Sequence, residues 1–569
     1  MENKWLKPLL GTALAAGCVC TLAAVSRPAA SAADYPANPI NKAGWALTAN
    51  DEFNGTGLNE QLWFPYYLPH WSTRELTKAN YELTNGNLVL KITPEMKVWD
   101  PVKDGGTVIS GIQTGEKDWL HRWTNYTAVN HHEETVQNLV QKYGYFEIRA
   151  KAQRGSGIHS AWWMIGFQQD QNNATGDTKM NAEIDIFEIL GKNPTQNQIN
   201  FHAWNDPTLT SSGNVVTSTS DLTAEFHVYG FEWDETSMKF YLDNQLVKTI
   251  NQSPNYPMMT LLGLYEKRNG GWTGAFDPSI PYPKKFEVDY FRAYQKMPDS
   301  NAAFSVYREA EDAYLYGNAK VADSASASNR RVAGYIGGGA GNTAEFRDIY
   351  APAAGAYPLQ ISYISGENRN LYIQVNDGAP TLLSGLNSGS WSSKGYAAAS
   401  VTLNAGLNTV RFFNNTAFAP DLDAITIGAV NKAPRASVTA TTQNSSLPAA
   451  NLIDANLRTA YQSADAPALP QNITLNWSAG QTLKQVAISS TYAQGQGITS
   501  FDVQVSDDGS TGWTTVATSG TLNWSTSTGT AEKKTISFPE VSGKKGLRLV
   551  VKQANLTWNH FVVNELEVY

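Results

Sequence analysis

Cysteine is almost absent from this chain of 569 residues: there are two, Cys18 and Cys20. Both fall within the first 32 residues, where Lys4 and Lys7 precede an apolar run from Leu9 to Val25 and Ala30-Ser31-Ala32 precedes Ala33, the layout of a secretory signal peptide. Cleavage after residue 32 leaves no thiol, which excludes disulfides and thiolate metal sites and predicts a secreted, extracellular protein. No later apolar stretch is long enough to span a bilayer, so a membrane is not an expected partner. Charge is scarce as well, at 17% of residues against a usual share of about a quarter. Without the leader the chain carries 40 basic and 50 acidic side chains, a net charge of −10, which argues against nucleic acid as a partner. Long runs of 3.6-residue periodicity are nearly missing, so a helical bundle is excluded too.

What is present in quantity is aromatic: 17 Trp and 26 Tyr, with aromatics at 11% overall. Most must be core, but such a surface also suits neutral, hydroxyl-rich ligands with apolar ring faces. Short alternating runs between Gly, Asn, Asp and Pro turn signals give an all-β reading throughout. The mature length exceeds one sandwich, so several domains are expected. Linkers are read at Lys296 to Asn301 and at Gly428 to Pro434, and composition shifts toward Ala, Ser, Thr, Asn and Gly after Phe304. The expected organisation is a signal peptide over 1–32 and domains over 33–297, 303–430 and 433–569.

Residues 183 to 188 read Glu-Ile-Asp-Ile-Phe-Glu. On a half-buried strand Glu183 and Asp185 share one face while Ile184 and Ile186 enter a core. Glu188 has the wrong parity, so it is either buried unpaired at a cost of several kcal/mol or brought back by a one-residue bulge near Ile186 and Phe187. With the bulge, three acids line one face. Two carboxylates flanking a bond, one ionised and one protonated, are what glycoside hydrolysis requires, and crowding by Asp185 helps keep one of them protonated. A calcium site or a solvated strand face is the competing reading of the same spacing.

Neighbouring runs are strand-like: Tyr143 to Ala150, Ala161 to Phe167, Asn197 to Trp204 and Tyr229 to Trp233. His159, Ala161 and Trp163 share parity and offer a stacking platform, while Trp162 and Met164 face the core. Gly191 to Pro194 is a turn, and counting back from it sets His202 opposite Asp185 within a residue or two. A histidine beside a carboxylate trio reads as a site residue.

Four ordered motifs carry a resemblance. They are Tyr143-Gly144-Tyr145-Phe146-Glu147-Ile148-Arg149, Ala161-Trp162-Trp163-Met164-Ile165-Gly166, the acidic hexapeptide, and Val288-Asp289-Tyr290-Phe291-Arg292-Ala293-Tyr294. Together they resemble the catalytic domain of glycoside hydrolase family 16, a concanavalin-like jelly roll. The resemblance implies a retaining double displacement with Glu183 as nucleophile, Glu188 as general acid/base and Asp185 assisting. It also makes Asp289 a candidate ligand of a structural calcium. Members acting on β-1,3-glucans carry an Asn-Glu-Leu-Gln-type motif early in the domain, where this chain has Arg74-Glu75-Leu76-Thr77. Leu68-Pro69-His70-Trp71 just before it is similar to the endo-β-galactosidase branch. Trp71 and His70 are therefore candidate cleft residues. Arg74 either contacts a substituted or anionic sugar or pairs with Glu75 or Glu116.

The stretch that opens with Tyr307-Arg308-Glu309-Ala310-Glu311-Asp312 and closes with Asp421 to Ile427 resembles carbohydrate-binding modules of families 6 and 35. That likeness implies a structural calcium on Glu309, Glu311 and Asp423, and sugar contacts at Tyr335, Trp391 and Asn415, each aromatic being also a candidate for the core. The last stretch, with Asn451-Leu452-Ile453-Asp454, Val505 to Gly509 and Asn564 to Tyr569, resembles discoidin-like modules of family 32. Both would be β-sandwiches of the galactose-binding type that raise the local concentration of substrate. The expectation is a secreted, monomeric, retaining endo-β-glycosidase cleaving internal β-galactosidic linkages of a glycan or polysaccharide, with no cofactor for catalysis. Alternatives are an endo-β-1,3-glucanase and a non-catalytic lectin or adhesin, which would have no reason to keep the complete acid trio.

Overall fold

The computed structural model describes residues 33–122, 129–168, 180–298 and 304–569. The expected leader and part of the first linker lie outside the described residues. Among the described residues α-helix is limited to two single turns, Arg74–Thr77 and Ala493–Gln496, and no helix is long and apolar enough to cross a membrane.

The first 260 or so described positions form two facing antiparallel sheets. One is eight-stranded, with Gly144–Lys151 and Lys284–Lys296 at its centre. The other is six-stranded, in the order Ser212–Thr217, Gln196–His202, Glu183–Leu190, Ile158–Gly166, Met258–Lys267, Thr107–Gln113. Between them lie Trp162, Met164, Ile184, Ile186, Phe187 and Phe231, all buried. Each such side chain contributes on the order of 1.5–3 kcal/mol, so the alternation of these strands fixes which face turns inward. The opposite face of the six-stranded sheet carries its own apolar cluster, with Trp71, Trp99, Trp163 and Tyr265.

Residues 305–428 build a six-stranded and a five-stranded sheet around a separate core that includes Phe346, Leu359, Ile373 and Phe412. Residues 437–568 form a further six-stranded sheet over a core that includes Tyr461, Phe501, Leu547 and Phe561. These later modules are docked on the first rather than loosely strung behind it. Lys142 pairs with Asp312, Gln168 Nε2 donates to the Glu311 carbonyl at 2.6 Å, and Arg458 Nε donates to the Glu235 carbonyl at 3.0 Å.

Candidate active site

The acidic strand resolves its parity problem by bulging. In the Ile158–Gly166 strand Trp162 pairs with Phe187 and Trp163 with Asp185, which leaves Ile186 as the extra residue. On the other side Gln198 pairs with Glu188 and Asn200 with Asp185, the same slip. Ile186 and Phe187 both enter the core, and Glu188 returns to the face that carries Glu183 and Asp185. The register expected for His202 holds within two residues: it pairs with Glu183, and its Nε2 reaches Asp185 Oδ2 at 3.4 Å.

The three carboxyl groups differ because their neighbours differ. Glu183 Oε2 receives Trp204 Nε1 at 2.8 Å and lies 2.8 Å from His121 Nε2. Burial alone would raise this group, but His121, then His202 and the Trp204 indole, outweigh it and bring Glu183 down to about 2. Asp185 is fully buried, and burial together with the charges of Glu183 and Glu188 holds it well above the ordinary carboxylate range. Its Oδ2 accepts no well-formed hydrogen bond, the His202 Nε2 standing 3.4 Å away. Glu188 is pushed up to about 8 by burial and by the Glu183 charge, against a single opposing hydrogen bond from Asn200 Nδ2 at 2.7 Å. One face thus presents a Glu183 held toward its ionised form beside an Asp185 and a Glu188 held toward their protonated forms.

The ligand atoms of Glu183, Asp185 and His202 lie within 4.8 Å of one another, the only such group of three acids or histidines among the described residues. Glu183 Oε2 already faces two nitrogen groups, His121 Nε2 and Trp204 Nε1, with which a cation at this place would compete.

Trp163 is on the expected face but only 7% exposed, and its Nε1 donates to Tyr265 Oη at 3.0 Å. It is floor, not an open platform. The exposed indoles are Trp204, 36% exposed and stacked 4.9 Å from His202, and Trp272, 47% exposed and edge-on to His159 at 5.2 Å. Both stand on turns after strands, where periodicity gives no signal. His159 lies flat on Tyr265, ring centroids 4.3 Å apart, and burial with the Lys267 charge holds it down at about 3, hence neutral. Gly263 permits that stack: a Cβ there would meet the Tyr265 ring at 2.5 Å.

His70 and Trp71 do not face the cleft; both are buried beneath it. His70 Nδ1 is 2.5 Å from Glu116 Oε1, its Nε2 is 3.0 Å from the Leu120 carbonyl, and Gln113 Nε2 donates to Glu116 Oε2 at 2.7 Å. Trp71 stacks on His121, centroids 5.6 Å apart. The pair therefore packs beneath His121, a residue the sequence does not signal because a lone histidine in a loop carries no pattern. His121 stands at φ +54°, a left-handed conformation that the packing beneath it must hold. Arg74 is not paired with Glu75 or Glu116; its Nε and Nη2 grip the buried Glu133, the latter at 2.6 Å, so its charge is matched within the protein. Asp289 lies on the eight-stranded sheet, where Arg149 Nη1 holds it at 2.8 Å, and among the described residues it belongs to no group of three acids or histidines close enough to share a cation.

In the second module Tyr335, Trp391 and Asn415 are exposed, with the Arg369 guanidinium 4.6 Å from the Trp391 ring centroid. Glu309, Glu311 and Asp423 are buried but do not close into a group of ligand atoms. Glu311 suits a cation, since both its oxygens lack a hydrogen-bond donor and Arg331 Nε is 3.8 Å away. Asp423 instead pairs with Lys394 Nζ at 2.8 Å and accepts from Ser362 at 2.7 Å.

Replacing His202 by Ala is expected to lower kcat/KM about tenfold and to move the acid limb of the pH profile upward, because one of the charges holding Glu183 down is removed. An unchanged rate and profile would separate His202 from the acid pair.

A family model described as glycosyl hydrolases family 16 matches residues 124–290, which contain the acidic strand, and one described as F5/8 type C domain matches residues 437–566. The chain is 29% identical over 256 residues to a glucan endo-1,3-beta-glucosidase of Cryptopygus antarcticus, covering 43% of this chain and 78% of that protein. It spans less than half the length of two other curated relatives, 38% and 45%. Among solved structures it is similar to the GlcNAcα1-4Gal releasing endo-β-galactosidase from Clostridium perfringens, at 30% identity and TM-score 0.43, covering 65% of this chain and all of that one. A family 35 carbohydrate binding module from Clostridium thermocellum matches 22% of this chain and 98% of its own at 34% identity and TM-score 0.21. With its acids in place on a jelly-roll sheet, the chain carries a family 16 glycosyl hydrolase domain followed by an F5/8 type C domain.

Proposed function

We propose that the protein is a secreted, monomeric, retaining endo-β-glycosidase that cleaves internal β-galactosidic linkages of a galactose-containing glycan or polysaccharide. The observation that carries the chemistry is the opposite tuning of Glu183 and Glu188 on one strand face. Glu183 attacks the anomeric carbon while Glu188 gives its proton to the departing glycosidic oxygen, so one C–O bond forms as another breaks. Glu188, now ionised, takes a proton from water, whose oxygen displaces Glu183 from the same carbon. The two inversions leave the β configuration. Trp204 Nε1 and His121 Nε2 occupy Glu183 Oε2, which leaves Oε1 as the attacking atom. Asp185 shares a proton with Glu183 and buffers the charge that appears and disappears there.

The galactosidic preference is supported by the Leu68-Pro69-His70-Trp71 stretch, which forms the support under His121. A β-1,3-glucan is the second reading, favoured by the 29% identity to a glucanase. Digestion of laminarin, keratan-type glycans, agar-type galactans and α-galactosylated lactosamine glycans, with sizing of products and NMR of the first-formed anomer, decides between them. Release of laminarin fragments alone would replace the galactosidic reading.

In the second module, Glu309 and Glu311 are the residues that would hold a structural calcium, the ion supplying a close partner for the Glu311 oxygens, which have no hydrogen-bond donor and only the distant Arg331 charge. Calcium is expected to raise the melting temperature and chelation to lower it, by a few degrees, as binding to the folded state alone requires. Calorimetry of wild type and Glu311→Gln with and without calcium checks this, and an equal response in both removes the assignment.

A further inference from the structure

The outer face of the Ile158–Gly166 strand continues past the acids. Ile165 pairs with Glu183, and Phe167, the next residue of the same parity, belongs to the same cleft-side cluster as Trp163. Phe167 is thus two strand residues, about 7 Å, beyond the nucleophile. There a cavity of about 650 Å³ opens, within the usual size of a ligand site. Its wall on the catalytic side includes Phe167, Lys117 and Trp119, the last two on the segment that leads into His121. Its other wall is the second module, with Tyr314, Tyr335 and Phe418.

That second wall is fixed in place. Tyr314 packs against the cleft-side cluster and its hydroxyl accepts from the Val140 N–H at 3.0 Å, while Gln137 Nε2 donates to the Leu315 carbonyl at 2.6 Å. Tyr335 and Phe418 nevertheless remain 51% and 48% exposed, large rings left open beside a polar cavity. The lining carries Lys117 and Lys320 against four acids, Asp118, Glu133, Glu311 and Asp312, of which Glu133 is paired with Arg74 and Asp312 with Lys142, so the site does not favour an anionic ligand.

We propose that this junction is a distal glycan subsite, built half by each module and continuous with the acid cleft. It holds a neutral, hydroxyl-rich stretch of the same chain whose bond is cut, with Trp119, one face of which the Arg122 guanidinium covers at 4.5 Å, and Phe418 offering ring surface from opposite walls. The inference rests on the glycosidase reading and adds to it a reason for length dependence: long chains gain contacts that short ones cannot reach.

The test is a double-mutant cycle across the junction, Trp119→Ala and Phe418→Ala singly and together. The substrates are a length series prepared from whichever panel glycan is cleaved in a Glu183-dependent way. Each single variant is expected to raise KM for the long members about fivefold, with the double variant little worse than either, because both rings serve one stretch of ligand. Effects that multiply, or that are the same for short and long members, would show the two walls to be independent and overturn the shared subsite while leaving the glycosidase reading intact. Absence of Glu183-dependent cleavage across the whole panel would overturn the glycosidase reading itself, and the subsite with it.

Discussion

Replacement of Glu183 by Gln is expected to lower kcat/KM by roughly ten-thousand-fold or more while leaving substrate binding in place. The amide keeps the volume of the side chain and an oxygen that can still accept from Trp204 Nε1, so the cleft retains its shape. What is lost is the charge that burial opposes and that His121 and His202 stabilise, and with it the nucleophile. Equilibrium binding of uncleaved oligosaccharide to the variant, beside its turnover, measures both effects. Turnover close to wild type would remove the nucleophile assignment, and binding without hydrolysis by the wild-type protein would favour the lectin reading.

The second large effect belongs to Glu188. Glu188→Ala is expected to cost about a hundredfold to ten-thousandfold on glycans, whose leaving oxygen needs a proton, and far less on aryl glycosides with activated leaving groups. Azide should restore turnover of the latter and yield a β-glycosyl azide, because a small anion can attack where the base no longer sits. An α-configured azide would indicate inversion. The pH profile follows from the same geometry. Glu188 is held up at about 8 and must be protonated for the first step, so wild-type kcat/KM should fall as pH rises through about 8. In the variant, with an activated substrate, that alkaline limb should vanish, and its persistence would assign the limb to another group. The raised value has a stability consequence of the same sign. The folded state keeps a proton that the unfolded chain releases above about 4.5, so this contribution is complete at acid pH and is lost as pH rises through about 8.

Much of the catalytic face was legible before any coordinates. Strict alternation told Trp162 and Met164 from Trp163, and the failure of Glu188 to alternate predicted the bulge that the strand adopts at Ile186. The turn after Leu190 placed His202 within two residues of its observed partner. These inferences work because side-chain direction along a strand has period two and antiparallel register is set by the turn. The same logic failed for exposure. Parity assigns a face but not what covers it, so Trp163 was read as a platform although Tyr67, Tyr265 and His121 crowd over it. His70 and Trp71 were read as cleft residues although they lie one layer below. For Arg74 the sequence offers a substituted or anionic sugar or the acids Glu75 and Glu116, whereas Glu133, 59 positions away, holds it.

Local sequence by itself determined the strands, the side of the sheet on which three acids stand, and the need for a bulge, because each depends on neighbours a few residues apart. Only the tertiary structure decided which acid is charged. The groups that pull Glu183 down and away from Glu188 are His121 and Trp204 on loops and His202 on the next strand, brought close by folding, while the hydrogen bond from Asn200 works the other way on Glu188 and burial holds Glu188 up against it. The meeting of Phe167 and Trp119 with Tyr335 and Phe418 around one cavity was likewise beyond the sequence, since nothing local records where one module docks upon another.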